Sequence, residues 1–226
     1  MTEDLAAAAL GVLLCGPAGL AVPVVIAGLP SPIAEVAERP RMLLRSAVVC
    51  AVVGAVLGLA IGLEPALWVV LPLVPQAVLL AIVDRHTQLI PSRVVWPMLG
   101  LAVGLVVLVG GVAGDGTAVV RSAVGGVTTF LVFHTLWWLH SAGMGYGDVR
   151  LSAVVGTVLG FLGWGELVVG VYAGFAVFAL VALGRAVLQR DRGLLREPTP
   201  YGPYLLGGAL VGVVLGGPLW SSLVSG

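Results

Sequence analysis

VRLSAVVGTVLGFLGWGELVVGVYAGFAVFALVALGRAVL, Val149 to Leu188, is apolar for about 40 residues. One helix of that length would extend about 60 Å, twice the ~30 Å hydrocarbon core of a bilayer. The segment therefore has to fold back, and Gly163-Trp164-Gly165-Glu166 is the turn. It reads as two membrane helices, the first rather short. The same reading carries outward to apolar runs at about Leu5 to Leu29, Met42 to Leu63, Ala66 to Val83, Arg93 to Val112, Ala118 to His140 and Tyr204 to Leu223. The expected fold is all-α, a polytopic bundle of about eight membrane helices, or seven if the short one is re-entrant.

Composition agrees. Of 226 residues, 59% are hydrophobic and only 10% charged, too few charges to cover a soluble globule of this size. The longest polar segment, Gln189 to Pro203, is loop-sized, so residues 1–226 read as one integral membrane domain. A formal net charge of zero gives no reason to expect nucleic acid as a partner. Cys15 and Cys50 lie inside apolar runs without a CxxC companion and read as buried small hydrophobes. Glu3 and Asp4 stand where a cleavable signal peptide would carry basic residues.

Arginine placement sets the expected orientation. All eleven basic residues are arginine. With the first helix entering from outside, Arg39, Arg41, Arg45, Arg85, Arg93, Arg150, Arg185, Arg190, Arg192 and Arg196 fall inside, and Arg121 alone falls near an outer end. This is a strong positive-inside bias. It places on the cytoplasmic side the two stretches that carry chemistry.

The first of these is Ala142-Gly143-Met144-Gly145-Tyr146-Gly147-Asp148-Val149-Arg150-Leu151. Alternate glycines disfavour helix and allow an extended or tightly turned backbone that another chain approaches closely. Asp148 then stands at the N-cap position of the next apolar run. The second is Asp84, which ends an apolar run and is followed by a loop through Ile90-Pro91 to Ser92. Taken singly, Asp84 reads as an interfacial charge and Asp148 as a cap. Taken together they gain weight, because ionisable groups at membrane depth are costly and functional by default. Two carboxyls brought close share a proton: the ionised one draws a proton from water, the protonated one donates to a carbonyl or leaving amine. That chemistry hydrolyses a peptide bond without a metal or other cofactor.

Competing motifs are weaker. The glycine stretch lacks the GxxxxGK[ST] pattern of a phosphate loop, and a carboxylate there would repel phosphate. His86, His134 and His140 form no HxxxH or HExxH pattern, so no metal site is expected, although His140 is placed to tune the aspartates. Gly54, Gly58 and Gly62, Gly156 with Gly160, and Gly208, Gly212 and Gly216 are spaced for close helix packing.

The motifs in order are a carboxylate with a loop ending in Ile-Pro, then Gly145-Tyr146-Gly147-Asp148-Val149-Arg150-Leu151, then Pro200-Tyr201-Gly202-Pro203-Tyr204. Together they resemble the prepilin peptidases, the type IV leader peptidases, which are GxGD-type membrane aspartic proteases. The resemblance covers about residues 43 to 224, leaving 1–41 as a first helix and short cytoplasmic loop and 42–226 as the peptidase core. It implies removal of short basic leader peptides from prepilin or pseudopilin precursors at the cytoplasmic face of the inner membrane. It also implies Asp84 and Asp148 as the catalytic pair, with Gly143, Gly145, Tyr146, Gly147, Pro91, Pro200, Gly202 and Pro203 as active-site backbone or substrate-binding positions. An extended glycine strand beside Asp148 would pair with the substrate. Many family members carry a cytoplasmic insert with two CxxC pairs, linked to N-methylation. Here that place holds only Pro30 to Arg41, so the compact form of Tad/Flp-type or competence-like systems is expected, without methyltransferase activity. Two other readings use the same residues. One is a GxGD protease of the presenilin or signal-peptide-peptidase kind, which usually has Tyr where Val83 stands. The other is a transporter or scaffold with the aspartates as proton or cation sites.

Overall fold

The computed structural model describes residues 2–139, 145–188 and 200–224. Gly143, His140 and the arginines at 190, 192 and 196 lie outside these residues. Among the described residues the chain is helical, with no strand. Its helices are α1 (Thr2–Gly19), α2 (Val22–Ala27), α3 (Met42–Ile61), α4 (Leu67–Val70), α5 (Val74–Thr87), α6 (Ser92–Ala113), α7 (Gly116–Leu139), α8 (Tyr146–Leu162), α9 (Trp164–Leu188) and α10 (Gly202–Val224). The pairs α1–α2 and α4–α5 each make one rod. The first spans Thr2–Ala27 and the second Leu67–Thr87. In the second, Pro72 and Pro75 lack the N–H groups an unbroken ladder needs, and Leu71–Leu73 tightens into a 3₁₀ turn.

Seven of these rods are long and apolar enough to cross a membrane. The eighth, α8, has 17 residues and turns back at Gly163, the short helix and reversal expected from the apolar run. Glycine seams zip the helices in pairs. A Cβ on Gly11 would lie 2.0 Å from the Gly54 carbonyl oxygen, and one on Gly58 2.3 Å from that of Ala7, locking α1 to α3. Gly125 and Gly156 do the same for α7 and α8, and Gly208, Gly212 and Gly216 lie on the backbone of α9. Gly62 is different from its spaced partners: it ends α3 with φ 73°, and only the Asp4 side chain comes within 4.0 Å of its Cβ position, with no helix backbone against it.

The rods that carry the aspartates are the most enclosed. In the α4–α5 rod 61% of the most apolar window is buried, against 17–33% in the other six long rods. In α8, 11 of 17 residues are buried. Both charged side chains are thereby kept away from lipid. At the far end of α8, Arg121 donates to the carbonyl oxygens of Gly160 (2.7 Å), Phe161 (2.6 Å) and Leu162 (3.2 Å). The one arginine expected near an outer end thus serves as a C-cap, satisfying carbonyls and complementing the helix dipole.

Candidate active site

Asp84 lies within α5, one turn before its end. The helix runs on through Arg85, His86 and Thr87 and stops at Gln88, in the left-handed region at φ 54°, whose N–H donates to the Asp84 carbonyl oxygen at 2.8 Å. The loop expected to begin at Asp84 therefore begins four residues later, because polar residues end an apolar run without ending a helix. Asp148 differs from expectation in the same direction. Gly145 is the N-cap, extended at φ −70° and ψ 142°, and Tyr146, Gly147 and Asp148 form the first turn of α8. Gly147 is therefore helical and Asp148 is no N-cap. Among the described residues the expected glycine strand shrinks to Gly145.

Both carboxyls are buried, Asp84 at 3% and Asp148 at 6% exposure. Asp84 Oδ2 accepts the Gly202 N–H at 3.0 Å, so a carboxylate from α5 caps the N-terminus of α10. Asp148 Oδ1 has no hydrogen-bond partner among the described residues. Ile90 is the spacer between the two halves. A Cβ on Gly147 would lie 2.6 Å from Ile90 Cβ, and one on Gly202 would lie 3.2 Å from Ile90 Cδ1 and 2.9 Å from Asp84 Oδ2. Any larger residue at either glycine would push the loop or the carboxylate aside.

The remaining expected positions sort by role. Pro91 ends the loop as N-cap of α6, and Pro203 lies in the first turn of α10. Pro200 immediately precedes the buried Tyr201. Tyr146 is half-buried: the Arg150 guanidinium lies 4.9 Å from its ring centroid, and Trp137 meets it edge-on at 4.8 Å. Arg150 also donates to Ser92 Oγ, joining α8 to α6. His134 is enclosed by Phe130, Trp137 and Tyr146, and His86 bonds its own helix at the Ile82 carbonyl.

Three residues beside this site were given no role in the sequence reading. Tyr201 is 3% exposed, sits among Phe133, Phe175 and Phe178 with centroids 5.2–5.8 Å away, and fixes the turn that presents the Gly202 N–H. Ile90 and Ser92 act through partners 57 and 58 residues away in Gly147 and Arg150 (147 − 90; 150 − 92). The motif Pro-Tyr-Gly-Pro-Tyr flagged Tyr201 without giving it a role; nothing local marks Ser92.

Comparison with known proteins follows the same residues. The model of the type IV leader peptidase family matches residues 71–187, which hold both aspartates. A prepilin leader peptidase/N-methyltransferase of Pseudomonas putida is 30% identical over 159 residues, 68% of this chain and 52% of the relative. One from Aeromonas hydrophila is 33% identical over 135 residues, 57% of this chain and 42% of the relative. Leader peptidase HopD of Escherichia coli is 33% identical over 159 residues, 66% of this chain and 90% of that protein. The chain thus spans about half the length of the two bifunctional relatives and nearly all of HopD. No solved structure matches. With more than half its length matched by the family model, the chain belongs to the type IV leader peptidase family.

Proposed function

We propose that this chain is an aspartic endopeptidase of the inner membrane that removes the leader peptide of prepilin-like precursors at the cytoplasmic face. The observation that carries the reading is the convergence of Asp84, Asp148 and Gly202, drawn from three separated motifs, at one buried end of the bundle. The names of the relatives support the peptidase class.

In this reading one ionised aspartate takes a proton from water, whose oxygen bonds to the scissile carbonyl carbon. The protonated partner donates its proton to the carbonyl oxygen; the aspartate that took the proton from water then gives it to the leaving nitrogen as the C–N bond breaks, and a hydroxyl proton of the diol returns to the partner as the carbonyl reforms. The Gly202 N–H holds Asp84 in one rotamer, and the Ile90 spacer sets how closely the Asp148 turn approaches it. Gly145 offers one extended residue for pairing with substrate backbone. The 3₁₀ segment Ala34–Glu38 occupies the loop where the larger family members carry CxxC pairs, which supports peptidase activity without N-methylation.

The test is coexpression in membranes with a pilin-like precursor from the same genome, reading the product N-terminus by mass spectrometry. Leader removal that depends on this chain is the expected result. An intact precursor across several candidates, with the protein folded and inserted, would overturn the reading and favour a proton- or cation-site role.

A further inference from the structure

Three buried side-chain atoms have no hydrogen-bond partner among the described residues: His134 Nδ1, Asp148 Oδ1 and Tyr201 Oη. An unpaired buried polar group typically costs about 1–3 kcal/mol, so each calls for a reason. The Tyr201 hydroxyl is the hardest to explain by packing. Its ring is enclosed by Phe133 of α7 and by Phe175 and Phe178 of α9. Its tip rests by Gly174 of α9, where a Cβ would lie 3.5 Å from Oη. A phenylalanine would fill this aromatic cluster without burying an oxygen. The ring explains the turn before α10; the hydroxyl is left over.

Placement and chemistry both direct that hydroxyl to Asp148. Tyr201 immediately precedes Gly202, whose N–H holds Asp84 Oδ2 at 3.0 Å, so the phenol belongs to the turn that meets the aspartates. A phenol donates and an ionised carboxylate only accepts, so the two orphaned atoms are complementary. Burial, and after it the charge of Asp148, push the Tyr201 phenol above its ordinary range, which sets each group in the other's field. Other polar groups around Asp148 are engaged. The Gly202 N–H serves Asp84, while Arg150 serves Ser92 and the Tyr146 ring. His134 stacks between Phe130 and Trp137 and meets the Tyr146 ring edge-on.

We propose that Tyr201 is a positioning residue whose phenol donates a hydrogen bond to Asp148 Oδ1, directly or through one water. The inference rests on the peptidase reading and supplies what that reading leaves unequal, since Asp84 has a fixed donor and Asp148 has none. Consecutive residues of one turn then hold both carboxyls, Gly202 by its N–H and Tyr201 by its hydroxyl. In this structure the two atoms are not bonded to each other. Catalytic hydrogen bonds are often long until substrate binds, and one water bridges such a gap at little cost. Donation to a carboxylate is charge-assisted and about twice as strong as a neutral bond. It fixes the Asp148 rotamer and steadies its charge while protons pass within the pair, an effect on the chemical step and not on substrate binding.

Tyr201→Phe removes the oxygen and keeps the ring, so it separates the hydroxyl from the packing. Tyr172→Phe, at a tyrosine 72% exposed on α9, is the matched control. With a precursor in membranes, Tyr201→Phe should lower kcat about tenfold or more and leave KM and Tm unchanged, as loss of a charged bond in the transition state requires. Tyr172→Phe should leave all three unchanged. Wild-type kcat in Tyr201→Phe, or a fall matched by a lower Tm, would overturn the inference. Infrared difference spectra of the resting protein give a readout that needs no activity. Tyr201→Phe should move one carboxyl band, and the same substitution in the Asp148→Asn background should move none. An unmoved band, a band that moves in both backgrounds, or one that moves with His134→Phe instead would overturn the inference. A wild type that cleaves no precursor would sink the peptidase reading, with the infrared bands still deciding whether Tyr201 holds Asp148.

Discussion

Gly147 shows most clearly what the candidate active site demands of a single residue. It is helical, so its lack of a side chain serves the 2.6 Å approach of Ile90 to its Cβ position. Adding a methyl there overpacks the contact, which typically costs about 1–3 kcal/mol and moves nearby groups. Gly147→Ala should lower kcat about tenfold or more, and Gly147→Ala combined with Ile90→Ala should recover part of it. A single variant with wild-type kcat would remove the spacer role. The sequence picked out Gly147, Asp84 and Asp148 as candidate site residues, and the structure gathers their motifs at one end of the bundle. It misjudged their backbone, because an average glycine penalty of about 1 kcal/mol is readily outweighed by tertiary packing at the start of a helix. Ile90, Ser92 and Tyr201 were not legible as site residues. Their roles arise from partners far along the chain or from a ring cluster contributed by α7 and α9.

At the scale of elements, the apolar runs revealed every long helix and the reversal at Gly163, since burial in lipid requires a long apolar stretch for each crossing. Helix ends were less legible. Hydrophobicity ends at Val83, but the helix ends at Thr87, where a left-handed Gln88 stops it. The glycine spacings at 156/160 and 208/212/216 read correctly as seams, whereas Gly62 belongs to a turn. Arg121 is the strongest element-level dependence, since one guanidinium serves three carbonyls at the end of α8. Arg121→Met should destabilise the bundle by about 1–3 kcal/mol through the lost charged bonds. A lower Tm in detergent, with the helical circular dichroism intact below the transition, is the expected reading. An unchanged Tm would show that the cap is dispensable.

Over the whole molecule, charge gathers at the two ends of the bundle. Glu35, Glu38, Arg39 and His86 line one polar cavity near the end of α5, while Glu64, Asp115, Glu166 and Arg121 line another beside the α8 C-terminus, so both cavities mix signs and the orientation rests on the arginine count. That arginine bias of the sequence gives an expected topology with the aspartates facing the cytoplasm. Thiol labelling checks it, because native Cys15 and Cys50 are at most 1% exposed and stay silent. Leu89→Cys should react with a membrane-impermeant reagent only after permeabilisation, and Asp115→Cys should react in intact cells. The reverse pattern would place the aspartates outside and exclude a cytoplasmic leader as substrate.

The most direct measurement on the aspartate pair is the membrane cleavage assay repeated with Asp84→Asn and Asp148→Asn, each isosteric with the side chain it replaces. Loss of leader removal in both variants, with wild-type expression and Tm, is the expected result and assigns the pair as the hydrolytic machinery. Cleavage persisting in either variant at the wild-type rate would contradict it, leaving that aspartate as no more than a helix-terminal charge.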